Sequence, residues 1–351
     1  MNSAILDLAE LGWSGYFAAQ LDPDTPLIPA RVMAVHRDRL EVLGVGLDTT
    51  IAPFIADEDD DQSHATIGDW LLLDPALGRA RRLLARRSLF KRRAAGTARK
   101  LQLIAANVDT LFIVSSCNQD FNQARLERYL VLAEDAEVMP VVVLTKADLS
   151  ETPEDYVHEA ARLLPGLLVE IVDARDPKST ACLLPWCKKG QTVAFVGSSG
   201  VGKSTLVNTL TGGDSIVTQA IRGDDDKGRH TTTGRALHRL AAGGWLMDTP
   251  GMRELQLTDA ASGIDGVFAD IAALAQACRF SDCRHDGEPG CAIIAATADG
   301  PLDPDRLKRW RKLAAEEAHN NESLAERRAR SKAFGKMAKS VMKAKQERRE
   351  F

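Results

Sequence analysis

The sequence predicts a multidomain protein: a small N-terminal β-barrel, a central α/β P-loop domain in circularly permuted order, and a C-terminal helical metal-binding unit. Three observations predict it. A strand, a glycine loop and a helix follow one another at Gln191 to Leu210. A second apolar strand delivers Thr145-Lys146-Ala147-Asp148 well ahead of that unit, and three cysteines with one histidine cluster after it.

The glycine loop is Gly197-Ser198-Ser199-Gly200-Val201-Gly202-Lys203-Ser204, entered from the apolar run Thr192-Val193-Ala194-Phe195-Val196. It is left through Thr205-Leu206-Val207-Asn208-Thr209-Leu210, whose apolar spacing is helical. That context is what a phosphate loop needs. Gly197, Gly200 and Gly202 let the backbone wrap so that its N–H groups point at phosphate oxygens, at the positive end of a helix dipole. Lys203 then neutralises the β- and γ-phosphates, and the Ser204 hydroxyl is a magnesium ligand. Thr205 completes the expected phosphate-binding set.

Downstream, Trp245-Leu246-Met247 runs into Asp248-Thr249-Pro250-Gly251. Asp248 is the strand-end carboxylate that holds the magnesium shell, and the Gly251 N–H meets the γ-phosphate. Between the two motifs lies Lys227-Gly228-Arg229-His230-Thr231-Thr232-Thr233, where a threonine, assigned to Thr232, closes the magnesium sphere when the γ-phosphate is present.

Base selection rests on Pro140-Val141-Val142-Val143-Leu144 carrying Thr145-Lys146-Ala147-Asp148 at a strand end, before a helix expected from Pro153 to Leu164. Asp148 can accept hydrogen bonds from guanine N1–H and its exocyclic amine, while the Lys146 stem covers the ring. The usual residue at Thr145 is asparagine. The replacement weakens a contact to the phosphate loop and removes none to the base.

The order Thr145-Lys-x-Asp, Gly197 to Ser204, Arg229-His-Thr-Thr-Thr, Asp248-Thr-Pro-Gly resembles the bacterial ribosome small-subunit-dependent GTPases of the RsgA/YjeQ type. Gln102 to Asp109, Asp120-Phe121-Asn122 and Arg125-Leu-Glu-Arg-Tyr129 resemble that family's lead-in to its permuted domain. The resemblance implies GTP and GDP as ligands with Mg²⁺, hydrolysis stimulated by the small ribosomal subunit, and a role in the subunit's late maturation. It also implies an OB-fold for the N-terminal barrel. Where the family shows Ser-Ala in a second base-contacting loop, this chain has Asp173-Ala174, which keeps the backbone contact and changes the side chain. Met252 stands where the best-known GTPases carry a water-positioning glutamine. Slow intrinsic turnover is therefore expected, with the missing group supplied by His230 or by ribosomal RNA. GTP is expected to order Lys227 to Thr233 and Met252 to Leu257, and so to set the zinc unit and the barrel for the subunit.

Cys278, Cys283, His285 and Cys291 lie within fourteen residues and have the softness of zinc ligands. Three thiolates and an imidazole make a closed tetrahedral structural site with no open catalytic position. Cys117, Cys182 and Cys187 share no such pattern and read as packing or free thiols. No disulfide framework is indicated, in keeping with a cytoplasmic protein.

The 351 residues divide into a barrel with linker (1–100), the permuted domain (101–260) and the zinc unit with a basic arm (261–351). The first residues carry Asp7 and Glu10 and no basic apolar leader, and no run reaches the apolar length of a membrane span. Nothing in the sequence demands a second copy, so a monomer is expected.

Net charge is −4, unevenly placed: from Asp305 to Phe351, fifteen Lys or Arg face seven Asp or Glu, so this arm carries +8 and the remainder −12. The arm, with Arg327, Arg328, Arg330, Lys332 and the cations beyond, is read as an electrostatic contact for ribosomal RNA or else as a solvated helix. In the N-terminal part, Ala30 to His36, Leu40 to Val45 and Gly68 to Leu73 alternate as strands of a β-meander. The basic stretch Arg79 to Arg93, with Phe90 interleaved, is an RNA candidate or a polar linker. Asp57 to Asp61 would repel RNA, so it is read as facing solvent or a basic ribosomal protein.

Three other functions fit some of these motifs. A small-molecule kinase would use the same phosphate loop, but Lys146 and Asp148 argue for guanine and against it. A tethering factor holding nucleotide as a fixed ligand is compatible with the absent glutamine. A permuted GTPase serving another RNA or protein partner is a third.

Overall fold

Alternating and all-apolar runs become the strands of one continuous sheet in the computed structural model, which describes residues 7–93, 101–213, 235–248, 252, 255, 257–300 and 302–321. The N-terminal part contributes a short helix α1 (Gly15–Ala18) and strands β1 (Ile28–Val35), β2 (Leu40–Gly44), β3 (Leu47–Ile51), β4 (Trp70–Asp74) and β5 (Arg79–Leu83). They lie in the order β3-β2-β1-β4-β5, antiparallel throughout. A hairpin of β6 (Leu89–Arg93) and β7 (Leu101–Ala106) follows.

The α/β layer comprises β8 (Thr110–Ser116), α2 (Gln123–Asp135), β9 (Met139–Thr145), α3 (Pro153–Ala161), β10 (Leu168–Val172), β11 (Thr192–Gly197), α4 (Lys203–Leu210), β12 (Arg235–Arg239) and β13 (Trp245–Asp248). Its spatial order is β10-β9-β8-β11-β13-β12, parallel except for β12. The five apolar runs expected to be strands, Leu111 to Val114, Val141 to Leu144, Leu168 to Val172, Val193 to Val196 and Leu246-Met247, are β8, β9, β10, β11 and β13. The inner strands β8 and β11, and most of β9, are buried on both faces, which is why they read as unbroken apolar runs, whereas β10 at the sheet edge is only half-buried.

The N-terminal antiparallel strands and the α/β sheet are joined. Strand β1 pairs with β12 at Ala34↔Ala236 and Val35↔Arg235. Beside this seam Arg31 is fully buried, with its guanidinium on the Leu11 carbonyl (2.6 Å) and the Thr192 hydroxyl (2.8 Å). Burial pulls its pKa down to about 10, against the opposing pull of Asp109 and Asp69. Gly12 approaches so closely that a Cβ there would stand 2.9 Å from that guanidinium.

In the stretch Arg79 to Arg93, Arg79, Arg81, Arg82 and Arg87 are exposed, while Arg86 and Phe90 are taken up by the fold. The stretch forms β5 and β6, not a linker. Arg86 bonds Asp69 (2.7 Å), which is fully buried, and the carbonyls of Gln62 and His64; Phe90 is buried. Neither is available to RNA. In the acidic loop, Asp60 caps the turn at Gln62 (2.8 Å) and Asp61 accepts from the Leu101 N–H (3.0 Å), so two of its carboxylates serve the loop itself.

Beyond the sheet come α5 (Ala261–Val267), α6 (Ala269–Gln276), α7 (Ala292–Asp299) and α8 (Pro304–Asn321). Helix α5 packs against α2 through Gly263, where a Cβ would stand 2.4 Å from the Val131 carbonyl. The start of the expected basic arm is structural: Arg306 and Arg309 of α8 clasp Glu127 of α2 at 3.2 and 2.7 Å, and Glu127 is 0% exposed. We expect Glu127→Gln, which keeps the volume and removes the charge, to cost about 1.5–3 kcal/mol, the worth of hydrogen bonds to charged groups. Denaturant midpoints measure it, and a change below a few tenths of a kcal/mol would mean that the clasp contributes nothing. The arm beyond Asn321 lies outside the described residues. Among the described residues, no helix is long and apolar enough to cross a membrane.

Candidate nucleotide site and metal cluster

The loops that carry the motifs all leave the C-terminal ends of parallel strands, the edge on which α/β sheets bind nucleotides. Gly197 ends β11 with φ +144°, and a Cβ there would lie 2.2 Å from the Val114 carbonyl of β8. Gly202 (φ +94°) caps α4, and Lys203 is the first residue of that helix. The buried Lys203 ammonium bonds the carbonyls of Gly197 (2.8 Å) and Ser198, so the loop is wound around it. Ser198 to Val201 form the bend between, and Ser204 and Thr205 open α4.

Strand β9 ends at Thr145, and the turn is made by Lys146 in the left-handed region (φ +57°). The Thr145 hydroxyl is buried 2.6 Å from the Val201 carbonyl and 3.1 Å from that of Ser115. Its one proton goes to the nearer. The contact expected to weaken with loss of asparagine is therefore made by the threonine: the base loop is tied straight to the phosphate loop. Thr145→Val should leave the Val201 carbonyl unmatched, at a cost of about 1–3 kcal/mol, and weaken GDP binding. Unchanged unfolding midpoint and GDP affinity would show that the tie is dispensable.

A cleft of about 250 Å³ is lined by Thr145, Lys146, Asp148, Leu149, Asp173, Ala174, Arg175, Gly202 and Thr205. It brings both base loops and the phosphate loop together. Asp173, the unusual side chain of the second loop, holds Arg175 at 3.1 Å, and Arg175 reaches Asp148 at 3.3 Å. The Arg175 hydrogen bond keeps Asp173 below the ordinary carboxylate range, and Asp173 raises Arg175 in return. Arg175 was not singled out from the sequence.

Asp248 ends β13, beside β11. His230, Thr232 and Gly251 lie outside the described residues, as do the other threonines of 231–233. Met252 is buried in the main core. The segment after it is clamped, with Leu255 O bonded to Arg128 of α2 (3.2 Å) and Leu257 O to Asn320 of α8 (2.8 Å).

At the other end, Cys278, Cys283, His285 and Cys291 place their ligand atoms within 4.8 Å of one another. Cys278 Sγ stands 3.5 Å from His285 Nδ1 and 3.9 Å from Cys291 Sγ, and Cys291 Sγ 3.6 Å from the same nitrogen. Zinc–sulfur bonds of about 2.3 Å at tetrahedral angles require sulfurs about 3.8 Å apart, so the donor set fits one such ion. Trp310 of α8 packs on the His285 ring, centroids 5.9 Å apart, and Arg311 bonds its carbonyl. Burial pushes Cys117 and Cys182 up to about 11 and Cys187 to about 12.

The model of the family described as RsgA GTPase matches residues 83–258. The small ribosomal subunit biogenesis GTPase RsgA 2 of Vibrio parahaemolyticus is 49% identical over 345 residues, 98% of this chain and 95% of the relative. The chain belongs to the RsgA GTPase family. The small ribosomal subunit biogenesis GTPase RsgA of Mesorhizobium japonicum is 52% identical over 319 residues, 89% of this chain and 90% of that one. Among solved structures, YjeQ from Thermotoga maritima superposes with a TM-score of 0.59 at 24% identity, covering 82% of this chain and 97% of that one. YloQ, described as a circularly permuted GTPase, superposes with a TM-score of 0.57 at 22% identity over 87% and 99%. The permuted fold is shared, and the chain is a GTP hydrolase by family.

Proposed function

We propose that this GTPase acts in the late maturation of the small ribosomal subunit, binding the subunit and its RNA and hydrolysing GTP faster when bound. The observation that carries the reading is the joining of guanine loop and phosphate loop through Thr145 and Val201, in a chain similar over nearly its whole length to relatives named for small-subunit biogenesis.

Asp148 takes the guanine N1–H and amine, and Lys146 covers the ring. Gly197, Ser198, Ser199, Gly200, Val201, Gly202 and Thr205 line the phosphates, and Lys203 gives up its carbonyl partners for phosphate oxygens. Ser204, Thr232 and Asp248 would hold Mg²⁺, which neutralises charge on the β- and γ-oxygens. Water attacks the γ-phosphorus in line, the bond to the bridging oxygen breaks with its electrons going to GDP, and the water's proton leaves with phosphate. With Met252 buried, the attacking water is oriented by His230 or by the subunit. Gly251 reports the γ-phosphate, and the clamped segment after it passes the change to α2 and α8.

Cys278, Cys283, His285 and Cys291 would hold one structural zinc. The order β3-β2-β1-β4-β5 supports an OB-fold for the first domain, within a division at 1–100, 101–260 and 261–351. The basic arm is assigned to ribosomal RNA, and the protein to the cytoplasm as a monomer. Phosphate release from GTP and ATP, with and without purified small or large subunits, tests the whole reading. Stimulation of GTP turnover by the small subunit alone is expected. Equal rates with and without it would leave a nucleotide-bound tethering factor or a switch for another partner.

A further inference from the structure

Arg125 stands in the first turn of α2, where the Asn122 side chain caps its N–H at 3.0 Å. A cation is unfavourable there, because the first turn of a helix carries partial positive charge. Its guanidinium reaches over to the phosphate loop and donates to the Ser198 hydroxyl. The other four arginines of α2 and α8 each face a carboxylate: Arg128 faces Glu316, Arg306 and Arg309 face Glu127, and Arg311 faces Asp286. Among the described residues, Arg125 faces none. It is an exposed, uncompensated charge whose contact on the phosphate loop is a neutral hydroxyl.

That hydroxyl is a weaker acceptor than a phosphate oxygen, which makes shorter and stronger bonds with a guanidinium. Ser198 immediately follows Gly197, in the loop whose N–H groups cradle phosphate, so the guanidinium already lies against the site's wall. Its backbone is well fixed: one turn further on, Glu127 is clasped by α8, and Arg128 bonds Glu316 at 2.5 Å. A positive charge on a rigid helix loses little to reorganisation when charge develops beside it. The catalytic position after Gly251 is, by contrast, a buried thioether.

We propose that Arg125 is a catalytic residue supplied in cis: it leaves Ser198 for the γ-phosphate oxygens and stabilises the charge that gathers there as water attacks. The proposal rests on the chain turning over GTP. It assigns charge stabilisation to α2 and leaves the orientation of water to other groups, so it adds to the role given to His230.

The experiment compares the full chain with R125A and R125K. It measures kcat and KM for GTP with and without small subunits, the affinity for GDP, and the gain in GDP affinity on adding aluminium fluoride, which mimics the γ-phosphate in transit. R125A is expected to lower kcat about 10²- to 10³-fold, the loss typical of a preorganised charge-stabilising donor. KM and GDP affinity should stay within about threefold, and the aluminium fluoride gain should vanish. R125K, which keeps the charge without the fork, should recover part of kcat. If R125A weakens GDP tenfold while keeping kcat, Arg125 merely supports the loop and the proposal falls. Unchanged kcat and fluoride response in R125A would also overturn it. Should R125A fail to fold, R125K with kcat and fluoride response at full strength would do the same. Absence of turnover in the unaltered protein would remove the hydrolytic reading and this proposal together.

Discussion

Lys203→Ala should abolish measurable GTP turnover and weaken both GTP and GDP binding. The ammonium is buried at the start of α4, bonded to the Gly197 and Ser198 carbonyls inside the curl of the loop. It therefore serves two ends. Without nucleotide it satisfies carbonyls that the tight turn points inward, and with nucleotide it is the positive charge nearest the bridging region. Removing one preorganised donor of this kind typically costs about 10²- to 10³-fold in kcat, and lost ground-state binding adds to it. The loss should persist when small subunits are added, since stimulation needs nucleotide in place. Phosphate release with saturating GTP, beside a GDP titration, makes the check; turnover within about tenfold of the unaltered protein would mean that phosphate chemistry does not pass through this loop.

The elements that were legible in the sequence carry local signals. Five apolar runs gave the inner strands, glycines at positive φ marked the phosphate loop, and four soft ligands within one short segment marked the metal cluster. What could not be read depends on residues far apart in the chain. The buried arginine at position 31 looks like a surface cation in an alternating strand, and only the joining of β1 to β12 encloses it. Glu127, Arg306 and Arg309 look like ordinary helix-surface charges; their meeting turns the first third of the expected RNA arm into a docking helix. Arg86 and Phe90 looked like an RNA patch because strands β5 and β6 present no clean alternation, and burial by the rest of the barrel was invisible. Thr145 was expected to be a weakened base loop. Its short hydroxyl reaches the Val201 carbonyl directly, at 2.6 Å.

The largest structural effect is expected at the other end of the molecule, from Cys291→Ser or from removing metal. Between Cys278 and Cys291 the chain has no helix or strand of its own: it runs through bends and turns, with His285 at φ +60° and Gly290 at φ +80°. Such a segment buries little apolar area; the packing of α8 against His285, the Glu288 carboxylate on the N–H groups of Arg284 and Asp286 (2.9 and 2.7 Å) and a few turn hydrogen bonds hold it, and the ligand set is its main cross-link. Structural zinc contributes about 10–16 kcal/mol of apparent binding energy in zinc-finger peptides, so one lost thiolate exceeds anything the local packing can replace. We expect one zinc per chain in protein from metal-replete cells and none in C291S, with protease sensitivity opening at 278–291. Loosening should extend to Trp310 and Arg311, which pack against His285 and hold its carbonyl, and from there to the seat of α8 on Glu127. Guanine nucleotide affinity should survive, because no ligand of the cluster lines the base cleft or the phosphate loop. Stimulation by the small subunit should be lost if the C-terminal unit is the part that docks. A metal-free C291S protein with native protease resistance would remove the zinc assignment, and one that remained fully stimulated would place subunit recognition in the barrel instead.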